Sequence, residues 1–138
     1  MAWRLALGAS IAALLVAAPV AAAPASDAQV KAALVRTIAV VDHQRAASLR
    51  KALVGVRASL TKAKPASAGA KTARTLALQA VAKASLAATE QVKAELANTK
   101  MQYDTATTQT ALATKNRAAA VKLLNRAAAL LGITQKAH

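Results

Sequence analysis

The alternation of apolar and polar positions divides this chain into an apolar opening and three amphipathic stretches. After Met1-Ala2-Trp3-Arg4, the run from Leu5 to Ala18 carries no charge and is closed by Pro19-Val20-Ala21-Ala22-Ala23-Pro24-Ala25. A positive start, an apolar centre and small residues before a cut form the layout of an export signal, so residues 1–23 are expected to be removed. Cleavage is expected after Ala23 or after Ala25. The competing reading is an uncleaved anchor, because Leu5–Ala23 is 19 uncharged residues and a span needs roughly 17 to 25. Much of that length is weakly apolar alanine, and proline beside an alanine cluster suits a protease site better than a continuing span.

Ser26-Asp27-Ala28-Gln29 has the form of a capping box, with Asp27 suited to the positive end of the helix dipole. From there Val30, Leu34, Ile38, Val41, Leu49, Leu53, Val56 and Leu60 recur at steps that place them on one helical face. Part of this stripe (Ile38, Leu49, Leu60) repeats every eleven residues, the period of a nearly straight helix. Arg45 is the one fault in it. The spacing predicts a single helix over 27–62, with Arg36, Arg50, Lys51, Arg57 and Lys62 on the opposite surface. Lys64-Pro65-Ala66-Ser67-Ala68-Gly69 contains a helix breaker and a glycine, which makes 63–70 a linker.

A second helix is expected over 71–103, burying Leu78, Val81, Val92, Leu96 and Tyr103, with Ser85 and Ala88 filling the gaps. Leu76, Leu86 and Met101 fall off that stripe, as they would in a helix that meets more than one neighbour. Four threonines between residues 104 and 110 weaken helix formation, because their hydroxyls compete for backbone hydrogen bonds. A turn is expected there, then a third helix over 111–131 with Val121, Leu124, Ala128 and Leu131 on one face. Gly132 followed by Ile133 is a fitting stop. No strand-like alternation appears. The expected fold is all-α: an up-down-up three-helix bundle or an extended antiparallel coiled coil, in one domain over 24–138.

Composition sharpens this picture. Alanine occupies 42 of 138 positions and phenylalanine none, and the single tryptophan lies in the opening segment. Tyr103 is therefore the only aromatic residue left for the body of the protein. Burying alanine yields far less than burying leucine, so close approach of helices has to substitute for bulk. Losing residues 1–23 removes only Arg4 among the charges, leaving 18 basic and 5 acidic side chains and a net charge of +13. Absence of cysteine excludes disulfides and a lipoprotein anchor.

Catalysis needs convergent titratable groups, and few are present. Asp27, Asp42, Glu90, Glu95, Asp104, His43 and His138 form no metal-ligand spacing, and Asp42 and His43, adjacent on a helix, point about 100° apart. No phosphate loop, nucleophile elbow or zinc-protease motif occurs. No catalytic, cofactor or metal residue is assigned, and the chain is read as a non-enzyme. The stretch Lys62-Ala63-Lys64-Pro65-Ala66-Ser67-Ala68-Gly69-Ala70-Lys71-Thr72-Ala73-Arg74 resembles, in composition only, the tails of linker-histone-like proteins. It makes Lys62, Lys64, Lys71 and Arg74 the candidate anion-binding residues, weighed against a flexible basic loop. Nucleic acid is disfavoured as the partner by export and by the lack of aromatic stacking groups.

The reading that follows is an exported binding or structural protein of the envelope, periplasmic or secreted, whose basic helices meet anionic polymers or lipid headgroups. Two alternatives stand beside it. One is a membrane-active protein that lays its first apolar stripe on a lipid interface. The other is a helical chaperone or adaptor that pairs with a protein partner or with copies of itself.

Overall fold

The computed structural model describes residues 25–138, so the expected export signal lies outside the described residues. Those residues form four packed helices and no strand: α1 (Ala25–His43), α2 (Ala46–Lys62), α3 (Ala68–Thr99) and α4 (Tyr103–Leu130). None of them is long and apolar enough to cross a membrane.

The helix expected over 27–62 is broken at Gln44 and Arg45, the fault in its stripe. Arg45 adopts an extended conformation (φ −74°, ψ 157°) and starts α2, while the Ser48 hydroxyl donates to its carbonyl at 3.1 Å. A continuous helix over that range would hold its ends about 54 Å apart. Instead, the Asp27 carboxylate accepts from the Ala66 N–H at 2.7 Å, so α1 and α2 run antiparallel. The physical reason is that a fold at Arg45 leaves the guanidinium in water and turns both halves of the stripe inward. Val30, Leu34, Ile38, Val41, Leu49, Leu53, Val56 and Leu60 are all buried. Thr37, also buried, satisfies its hydroxyl on the Ala33 carbonyl at 2.7 Å.

The second boundary also moves. Residues 104–110, expected to turn, lie inside α4, and the turn falls at Lys100–Gln102. Thr107, Thr108 and Thr110 each donate to the carbonyl four residues earlier, so their hydroxyls join the helix instead of competing with it. The turn is a Schellman motif: the Gln102 N–H reaches the Ala97 carbonyl at 2.9 Å and the Met101 N–H reaches that of Asn98 at 3.0 Å. Its left-handed position, φ 59°, is held by Met101 where glycine is usual.

α3 buries a different face from the one its leucines mark. Of the expected stripe Val81 and the gap-filling Ala88 are buried. Leu78 and Val92 are half-buried, and Leu96 and Tyr103 are 54% and 64% exposed. Off-stripe Leu86 and Met101 are also exposed, whereas Leu76 is buried. The inward face is Ala70, Ala73, Ala77, Ala80, Ala84 and Ala87, at alternating three- and four-residue steps, and α4 meets it with Ala106, Ala113, Ala120 and Ala127, one every seven residues. Small side chains let two backbones approach at the short end of the usual interaxial range, so the longer helices share the largest contact in the molecule. Bulk is supplied from the other side by Leu34, Ile38, Val56 and Leu60, and by Leu124 of α4.

α4 ends in a second Schellman motif, with Gly132 at φ 63° and the Ile133 N–H on the Ala128 carbonyl at 2.9 Å. The chain then runs back along α4. The Asn125 amide pairs with both backbone groups of Ala137, and the His138 N–H donates to Asp42 Oδ1 at 2.9 Å. This last segment is thereby tied across α1 and α4.

Candidate functional site

Four basic residues were singled out at the α2–α3 corner, and the fold gives them unequal roles. Lys62 ends α2, Lys64 lies in the linker and Lys71 sits in the first turn of α3, all exposed. Arg74 is half-buried: its Nε donates to the Leu60 carbonyl at 2.7 Å and its Nη2 to that of Thr61 at 3.0 Å. These are carbonyls of the last turn of α2, which lack helical partners, and a cation suits that end of the dipole. Arg74 therefore works as a clasp between α2 and α3.

Asp27 is the second part of this corner. Its carboxylate, 6% exposed, accepts from the Ala66 N–H at 2.7 Å and from the Ser67 N–H at 3.3 Å. Ser67 in turn caps α3, its hydroxyl accepting from the Ala70 N–H at 3.1 Å. The Ser67 side chain, then the Ala66 N–H, hold the Asp27 carboxyl below the ordinary carboxylate range, and the Lys71 charge adds to this against the opposing effect of burial. Lys71 thus faces a fixed negative charge, and Lys62 and Lys64 are the two members of the set without such a neighbour in these contacts.

The cations as a whole are distributed differently from what the corner suggested. Residues 43–89 contain no acidic residue, nor do residues 105–138. Within the first run, α2 presents Arg50, Lys51 and Arg57 on its outer face around Val54, which is 71% exposed; Arg50, Lys51 and Val54 line a shallow groove with Ser85 and Val92 of α3. Within the second, Lys115, Lys122 and Arg126 recur on one exposed side of α4. Among the described residues one ion pair forms, Lys93 Nζ to Glu90 Oε1 at 3.2 Å, leaving the other 17 cations without a carboxylate within 4.0 Å. The acid-free runs were visible in the sequence. Their assembly on α2 and α4 required knowing which side of each helix faces out.

The candidate chemical residues are scattered. Asp42 holds the His138 N–H, and His43 lies exposed at the end of α1. Among the described residues no three His, Asp or Glu side chains are grouped to hold a metal. A notch of about 180 Å³ lies where the α1–α2 turn meets α3 and α4, floored by Val41, Leu49 and alanines and edged by Gln91, Thr114 and Arg117. Arg117 there donates to the His138 carbonyl at 3.3 Å. No family model, curated protein or solved structure matches this chain.

Proposed function

We propose that this chain is an exported, non-enzymatic protein that binds anionic polymers or lipid headgroups of the cell envelope through the outer faces of α2 and α4. The observation that carries the reading is the charge arrangement: 18 basic against 5 acidic residues after residue 23, with one ion pair among the described residues. An exposed lysine or arginine without a carboxylate partner gives up little to meet a phosphate or carboxylate, and each such contact releases a counterion from the polymer. The arginines of α2 add bidentate geometry suited to either anion. The membrane-active alternative draws less support, because the stripe it would lay on lipid is the buried face of α1 and α2.

The test is retention on immobilised polyphosphate across a salt series. The expected result is a linear fall of log affinity with log salt, and a slope reduced by about two to three in the variant Arg50→Gln, Lys51→Gln, Arg57→Gln. Absence of retention, or retention indifferent to salt, overturns the proposal.

A further inference from the structure

The basic residues do not cover the whole molecule. The α1–α2 hairpin reaches α3 as far as Val92 and α4 as far as Ala113, and beyond it α3 and α4 continue to the turn at Lys100–Gln102. In this tip, residues 93–112, the buried residues are Ala94, Ala97 and Ala106. Its charges are Lys93, Glu95, Lys100 and Asp104, which cancel, while the rest of the chain after residue 23 holds 16 basic and 3 acidic residues. Four of the seven large exposed hydrophobic side chains of the described residues sit here: Leu96, Met101, Tyr103 and Leu112. The molecule is therefore polar in charge and in hydrophobicity along one axis, with a strongly positive body and a neutral, apolar tip.

From this the geometry points to the tip as a self-association surface, at which two copies meet tip to tip. Two bodies of net charge +13 repel one another wherever they touch. The tip is the part of the described surface where apolar contact forms without bringing those charges together. It is about 13 Å long, so even side-by-side tips hold the bodies farther apart than the roughly 8 Å over which charge is felt at physiological salt. A head-to-tail contact has less to draw on. Glu95 accepts from the Gln91 side chain, Asp104 lies at the N-terminal end of α4, and two lysines are interspersed, so the tip offers no negative block for a basic body. Tip-to-tip contact is self-complementary and closes at two copies. It leaves the basic faces of α2 and α4 free, so a dimer would present two polyanion-binding bodies at opposite ends.

Met101 makes the proposal testable without risk to folding. It is 75% exposed and occupies a left-handed position that strains every residue but glycine, so Met101→Gly removes apolar surface and relieves strain together. Sedimentation equilibrium of the purified chain is expected to show a monomer–dimer system whose association holds or strengthens as salt rises. Met101→Gly combined with Leu96→Ser is expected to weaken association by about tenfold or more. The same variant should melt no lower than the parent and keep its retention on polyphosphate. A monomer at all concentrations, assembly beyond two copies that dissolves in salt, or a dimer untouched by the tip variant each overturns the inference.

Discussion

Asp27 accepts hydrogen bonds from a loop 39 and 40 residues away, and this one carboxylate closes the α1–α2 hairpin onto the start of α3. Because its folded pKa lies below the ordinary 3.8, the folded protein holds on to this proton less tightly than the unfolded chain. The stabilisation is therefore full at neutral pH and is lost as pH falls below about 4, through the folded pKa. Asp27→Asn should melt below the parent at pH 7, by a gap that narrows as pH falls below about 4; a gap that stays constant with pH would show that charge is not the cause. Arg74 is the matching cation. Arg74→Lys keeps the charge and loses the planar fork that spans two carbonyls, so it should cost about 1–2 kcal/mol in a thermal or urea melt. Met101→Gly should raise stability by about 1 kcal/mol by relieving the left-handed position.

At the level of elements, the contrast lies between the two hairpins. α1 and α2 bury the residues that hydrophobic periodicity marks, so their stripe was legible, while the break at Arg45 carries no proline or glycine and was not. α3 and α4 bury alanines. In a chain with 42 of them, a seven-residue repeat such as Ala106, Ala113, Ala120 and Ala127 does not stand out from its background. Of the leucines that do stand out on α3, Leu76 is buried and Leu78 half-buried, while Leu86 and Leu96 are exposed. A size reversal follows from this. Ala120→Leu, which adds bulk to a fully buried seam, should destabilise by about 1–3 kcal/mol. Leu96→Ser, which removes a large apolar side chain, should change stability by less than about 0.5 kcal/mol. Urea melts of both variants decide the point, and the opposite order would mean that the leucine stripe is the packed one.

For the molecule as a whole, charge opposes compaction and sets what the surface can meet. A net charge of +13 after residue 23, with one ion pair among the described residues, repels itself, and screening weakens that repulsion. The melting temperature is therefore expected to rise between about 10 and about 300 mM salt and, if the proposed polyanion binding holds, to rise further with polyphosphate. A melting temperature that falls with salt would mean that attractive pairs outweigh the repulsion. The charges of the α3–α4 tip cancel, and the proposed meeting of copies at that end rests on this.

Helix as the secondary structure, the net charge, the linker near Pro65 and the stop at Gly132 follow from the sequence alone, because periodicity, composition and backbone stereochemistry are local properties. Lys62, Lys64, Lys71 and Arg74 were likewise legible as a basic cluster, but not that Arg74 caps α2 or that Lys71 faces Asp27. Tertiary structure decided those roles, the fold at Arg45 and the choice of alanine over leucine for the α3–α4 seam. Each depends on which surface a neighbouring helix leaves free, and a small side chain wins a seam only when a partner backbone is present to come close.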